Sequence, residues 1–140
     1  MDKDKVIHEI ACGEYQTLAE RTSATSTVDG CAMVNSRIDA RNTRLLHAGM
    51  GMATESGEFL DGLKKTIFYG KPLDIVNLQE EIGDLLWYIA EACNSMDINI
   101  LTLMVRNIEK LQARYPDKFS SEKAMNRDLQ KEREILEAGN

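Results

Sequence analysis

The stretch from His47 to Asp84 holds two short acidic motifs, Glu55-Ser-Gly-Glu58 and Glu81-Ile-Gly-Asp84, on what read as two consecutive helices. On an α-helix, residues three apart are neighbours on one face, so each motif presents a pair of carboxylates in one direction. At about 100° per residue, His47, Gly51, Glu55, Glu58, Gly62 and Lys65 share one side of the first helix. Leu45, Met52, Phe59, Leu60, Leu63 and Ile67 share another. The second helix divides in the same way. Asn77, Glu81, Asp84, Tyr88 and Glu91 form a polar line beside an apolar stripe of Leu78, Ile82, Leu85, Leu86, Ile89, Cys93 and Met96. If the apolar stripes pack together, the acidic lines converge beside the core. Four carboxylates brought together repel one another and their pKa values rise, unless cations sit between them. Hard oxygen ligands in that number suit Mg²⁺ or Mn²⁺.

Working outward, Gly70-Lys-Pro72 stops the first helix after Tyr69, because glycine takes the left-handed C-terminal position and proline cannot continue the ladder. Asp74 caps the next helix, over about residues 75 to 95. Asp97 reads as the N-cap of a third periodic segment, with Leu101, Met104, Val105, Ile108 and Leu111 on one stripe and an end near Tyr115-Pro116. Its other side carries Asn107, Lys110 and Arg114. On the N-terminal side, residues 4 to 22 read as an amphipathic helix through Val6, Ile7, Ile10, Ala11 and Leu18. A Ser/Thr-rich loop over Thr22–Thr27 follows and ends with Val28-Asp-Gly30; Cys31 to Arg44 is mixed. From Ser120 the chain is a charged helix or tail with a narrow apolar line of Met125, Leu129 and Leu136, packed on its own domain or on a partner subunit. Strand-like alternation and internal repeats are lacking. The reading is a single all-α domain over residues 1–140, a bundle of four to five helices.

Composition narrows the class. The 140 residues are 43% hydrophobic and 29% charged, with a net charge of −6. That balance argues against binding duplex nucleic acid by phosphate neutralisation. No segment reads as a signal peptide or a membrane span, so a cytoplasmic protein is expected. Cys12, Cys31 and Cys93 have no metal-ligand spacing, and Cys93, on the apolar stripe, reads as a core residue.

Acidic pairs at this spacing also occur on solvated helix faces. Here both pairs border apolar stripes, and both enclose a glycine, Gly57 and Gly83, which costs a helix about 1 kcal/mol relative to alanine. Close helix approach or room for a ligand accounts for both. His47 lies two turns before Glu55 and is taken as facing the substrate, although a lone histidine there is more often structural than a ligand. Trp87 reads as a core or interface residue.

The segments His47-Ala-Gly-Met-Gly-Met-Ala-Thr-Glu-Ser-Gly-Glu58, Asn77-Leu-Gln-Glu-Glu-Ile-Gly-Asp-Leu-Leu-Trp-Tyr88 and Asn107-Ile-Glu-Lys-Leu-Gln-Ala-Arg-Tyr-Pro-Asp-Lys-Phe119 together resemble the MazG-like branch of the all-α nucleoside triphosphate pyrophosphohydrolases. The likeness covers residues 43 to 120 or so. It implies that Glu55, Glu58, Glu81 and Asp84 are both the Mg²⁺ ligands and the catalytic carboxylates. Lys110 and Arg114 would then meet phosphate oxygens, and Asn107 would orient the nucleotide. The implied reaction splits a nucleoside triphosphate into monophosphate and pyrophosphate, in a homodimer or homotetramer whose association completes the core. Many members carry an acid just before the first motif, where this chain has Thr54. That leaves the base open between a metal-bound hydroxide and a ligand carboxylate. A di-iron bundle would want Glu-x-x-His pairs, which neither His8 nor His47 supplies. A non-catalytic helical interaction protein fits the same periodicity, and stoichiometric Mn²⁺ binding separates it from the enzyme.

Overall fold

Helix start and stop signals account for where each element begins and ends. The computed structural model describes residues 3, 4, 7, 8 and 14–138, and every regular element among them is a helix. These are α1 (Glu14–Glu20), α2 (Val28–Asn35), α3 (Ala40–Tyr69), α4 (Ile75–Met96), α5 (Ile100–Arg114), α6 (Ser121–Met125) and α7 (Leu129–Glu137). The all-α class therefore stands, with α3, α4 and α5 as its long members. The chain forms two compact units, Met1–Thr43 and Arg44–Asn140.

In the first unit, α1 covers part of the helix expected over residues 4 to 22; Val6, Ile10 and Ala11 lie outside the described residues. The Thr27 hydroxyl accepts from the Gly30 amide at 3.0 Å and caps α2. Val28 to Gly30 are thus the first turn of a helix rather than the end of a loop, because the cap satisfies a backbone donor that would otherwise be open.

The second unit places the site. At Gly70 the backbone turns left-handed, with φ 66°, and ends α3 as the sequence implies. Lys71 folds back so that its amide donates to the Lys65 carbonyl at 3.2 Å. Asp74 accepts from the Asn77 amide at 3.0 Å and starts α4. At the other end of α4 the sequence reading needs correction. Asp97 does not cap α5; it is the left-handed residue that terminates α4, with φ 59° and ψ 43°. Asn99 caps α5 instead, its side-chain oxygen accepting from Leu101 at 2.8 Å and Thr102 at 3.4 Å. Aspartate tolerates the left-handed region well enough to fill that role.

Helices α3 and α4 meet at Gly51. A Cβ added there would lie 2.2–2.4 Å from three carbons of the Tyr88 ring, so only glycine lets the ring sit against α3. Gly57 and Gly83, inside the two acidic motifs, have nothing within 4 Å of such a Cβ. Within one chain they leave space beside the carboxylates and make no tight helix contact.

The core of this unit is thin. Ala48, Leu78 and Cys93 are buried, with Leu45, Met52, Phe59, Leu63, Leu85 and Ile89 half-buried. Among the described residues no large side chain is fully buried. Phe68 is 76% exposed, Val76 75% and Leu101 66%, while Leu60, Ile67, Ile82, Leu86, Met104, Val105 and Ile108 also face water. Trp87 is exposed as well, packing edge-on against Tyr88 at 4.9 Å.

The Gly51 contact makes a direct prediction. Gly51→Ala should lower stability by about 1–3 kcal/mol through overpacking against Tyr88. Gly49→Ala, which faces open space, should leave the melting temperature unchanged or raise it. Equal melting temperatures for wild type and Gly51→Ala would contradict the contact.

Candidate functional site

Helix α3 contributes Glu55 and helix α4 contributes Glu81 and Asp84, with one carboxylate oxygen from each within 4.8 Å of the others. Three of the four predicted carboxylates are therefore brought together. The fourth, Glu58, is exposed and outside that set, yet its charge still acts on Glu81. Glu81 is the buried member, at 4% exposure, and it accepts a hydrogen bond from the Asn77 side-chain amide at 2.7 Å. Glu55 is half-buried and Asp84 exposed.

The electrostatics follow from this placement. Burial pushes the Glu81 carboxyl above the ordinary carboxylate range; the Asn77 bond opposes the rise, and the charges of Glu58, Glu55 and Glu80 add to it. Among the described residues none of Glu55, Glu58, Glu81 and Asp84 makes an ion pair. A set of close, hard oxygen donors that make no ion pair among the described residues fits a divalent cation such as Mg²⁺ or Mn²⁺. The Thr54 hydroxyl lies 2.9 Å from the Gly51 carbonyl oxygen and 3.1 Å from Glu55 Oε1. Its single proton steadies one or the other, and Thr54 has no carboxylate to act as a base.

The remaining predicted residues are placed differently. His47 is exposed and stacks edge-on against Tyr88 at 5.6 Å, so its visible role is to pack the ring that separates α3 from α4. Lys110 donates to Asn107 Oδ1 at 2.8 Å on α5. Arg114 forks onto Glu132 of α7, through Nε at 2.8 Å and Nη2 at 2.6 Å, and Arg127 reaches the same carboxylate at 2.6 Å. Among the described residues no hydrogen bond or ion pair joins Asn107, Lys110 or Arg114 to the acidic cluster.

One residue escaped the sequence reading. Glu132 is 6% exposed and ties the end of α5 to α7, but it sits in a charged segment where nothing in the spacing marks one glutamate from the next. Asn77 was visible on the polar line; its four-residue offset from Glu81 is the signal for their bond. At the other end of that line, Arg44 Nε donates to Glu91 Oε1 at 2.7 Å, closing α3 onto α4, and this bond lowers the Glu91 pKa.

Fold and site together define an all-α protein whose two central helices present a carboxylate set suited to a divalent cation. The model of the MazG nucleotide pyrophosphohydrolase domain matches residues 46–119, more than half of the chain, and the protein belongs to that family. The chain is also similar to the gene 37 protein of Mycobacterium phage L5, 37% identical over 75 residues. Those residues are 50% of this chain and 65% of the phage protein, so the likeness spans just under two thirds of that relative's length. No solved structure matches the chain.

Two predictions follow from the pKa directions. A carboxyl raised on folding binds more protons in the folded than in the unfolded state, so stability falls as pH rises through its folded pKa. Glu81→Gln should therefore raise the melting temperature of the metal-free protein at neutral pH. Added Mn²⁺ should raise that temperature for the wild type and have little effect on the variant; equal stabilisation of both would remove Glu81 from the site. Glu132 has the opposite sign. The Arg114 and Arg127 bonds hold it down to about 2, so its contribution is complete above the ordinary carboxylate range and lost as pH falls toward 2. Glu132→Gln should lose that acid transition and speed amide exchange in α7, measured by deuterium exchange across Leu129–Glu137.

Proposed function

We propose that the protein hydrolyses a nucleoside triphosphate, ribo or deoxy, between the α and β phosphates, giving nucleoside monophosphate and pyrophosphate with Mg²⁺ as the physiological cation. The observation that carries this reading is the convergence of Glu55, Glu81 and Asp84 from two helices inside a MazG domain. A cation held there would neutralise phosphate charge and acidify the attacking water. Glu55, Glu81 and Asp84 would hold it, while Asn77 keeps Glu81 oriented.

Glu58 stands beside the set and makes no hydrogen bond among the described residues, so it is available to take the proton of the attacking water. The water oxygen bonds to the α-phosphorus, the bond from that phosphorus to the bridging oxygen breaks, and pyrophosphate leaves. Lys110, Arg114 and Asn107 can serve the phosphates only by exchanging their present partners or by acting on the site of another subunit.

Association is part of the proposal. The exposed apolar faces of α3, α4 and α5 are more extensive than single scattered residues, and faces of that kind mark interfaces. We infer a homodimer or homotetramer in which these faces are covered. No described helix is long and apolar enough to cross a membrane, and nucleotide chemistry of this kind belongs in the cytoplasm. Duplex nucleic acid is not expected as a partner for a chain of net charge −6.

The test is ion-exchange analysis of products from a panel of common and modified triphosphates, with Mg²⁺ and with chelator. Monophosphate plus pyrophosphate, lost with chelator and lost in Glu81→Gln and Asp84→Asn while helical circular dichroism is retained, is the expected result. Diphosphate plus orthophosphate, or full activity in both amide variants, would overturn it.

A further inference from the structure

Beyond the carboxylates, the α3–α4 connection encloses a cleft of about 600 Å³ that the reaction as described does not use. Its polar lining is Lys65, Lys71, Asp74 and Asn77, with Gly62 on the α3 side and an apolar wall that includes Leu73 and Val76. We propose that this cleft holds the β and γ phosphates of the substrate, and then the pyrophosphate product, on the ammonium groups of Lys65 and Lys71. The inference rests on the hydrolase reading and adds to it the residues that receive the leaving group.

Three observations support the placement. First, the cleft and the acidic cluster share Asn77. Asn77 lines it and donates to Glu81 at 2.7 Å, while Lys65 lies close enough to Glu58 to feel its charge. A polyphosphate with its α-phosphorus at the carboxylates can extend into the cleft without leaving the site. Second, the cleft is locally cationic in an acidic protein. Asp61 is shared between Lys65 at 2.7 Å and Lys64 at 3.3 Å, so it offsets only one of the two charges. Lys71 makes no ion pair among the described residues, and the Asp74 carboxylate is engaged in capping α4 at Asn77. Third, the donors on α5 bond to other groups, Lys110 to Asn107 and Arg114 to Glu132, while Lys65 and Lys71 are the cations that line the cleft. At Gly62 helix α3 comes close to α4: a Cβ there would lie 3.1 Å from Leu78 Cδ2 and 3.6 Å from Asn77 Oδ1.

The chemistry fits a lysine pair better than a single arginine. Two mobile ammonium groups follow a diphosphate from its bridged to its released form, each as a point charge with rotatable donors. Product release then depends on these lysines, whereas cation binding depends on Glu55, Glu81 and Asp84.

The experiment measures magnesium pyrophosphate binding by calorimetry, and pyrophosphate inhibition of turnover, for wild type, Lys65→Ala, Lys71→Ala and the two Lys→Arg variants. Each alanine variant should weaken pyrophosphate about tenfold, the scale of one charge-assisted hydrogen bond, and the arginine variants should recover most of that loss. Mn²⁺ affinity, followed by electron paramagnetic resonance, should stay as in wild type in all four. Wild-type pyrophosphate affinity in both alanine variants would overturn the inference, as would failure of the wild-type protein to bind pyrophosphate at all. The two readings fail separately. An active enzyme whose pyrophosphate affinity ignores both lysines leaves the hydrolase and removes the cleft. Lysine-dependent pyrophosphate binding by a protein that hydrolyses no triphosphate keeps the cleft and removes the hydrolase.

Discussion

Holding Glu55, Glu81 and Asp84 oxygens within 4.8 Å of one another is a cost that the rest of the second unit has to bear. Like charges at that separation oppose folding, and more so where one of them is buried, because the low local dielectric strengthens the repulsion and removes solvation. Among the described residues no lysine or arginine is in ion-pair contact with the set; the Asn77 amide donates to Glu81 and the Thr54 hydroxyl lies 3.1 Å from Glu55. A protein that keeps such an arrangement gains from it when a cation arrives. A cation bound there would remove the repulsion that the carboxylates impose on one another, and its binding would then be coupled to folding of this unit.

The two helices that carry the carboxylates are aligned by a small number of contacts. Tyr88 rests against Gly51, one turn before Glu55 on α3 and one turn after Asp84 on α4, so a single ring contact sets the approach of both motifs. His47 and Trp87 each meet that ring edge-on, and the Arg44–Glu91 pair joins the two helices as well. Little buried apolar surface stands behind these contacts, since Ala48, Leu78 and Cys93 are the buried hydrophobic residues among those described. A second copy of the chain, as proposed above, would add to this alignment by covering the exposed faces of α3, α4 and α5.

Much of this was legible in the sequence, for physical reasons that differ from element to element. The acidic motifs and their helices could be read because side-chain direction on a helix is fixed by spacing alone, and because Gly70, Pro72 and Asp74 punctuate the backbone locally. Cys93 was legible as core for the same reason. The role of Asp97 was not, since an aspartate between two helices serves equally as a left-handed terminator or as a cap, and the choice turned on Asn99 two residues later. Glu132 was not legible either. Its partners Arg114 and Arg127 are brought to it by the packing of α7 on α5, a tertiary event with no periodic trace. The bond of the Arg114 guanidinium to Glu132 was likewise beyond what helical spacing could show. Stripe analysis identified the apolar faces, yet it could not say which of them are covered within one chain.

The central claim is that the carboxylate cluster directs water to the α-phosphorus. The measurement that reaches it most directly is hydrolysis of a substrate triphosphate in ¹⁸O-labelled water with Mg²⁺, followed by mass spectrometry of both products. The account predicts one labelled oxygen in the nucleoside monophosphate and none in the pyrophosphate. Label in the pyrophosphate, or in released orthophosphate, would place the attack on another phosphorus and contradict it.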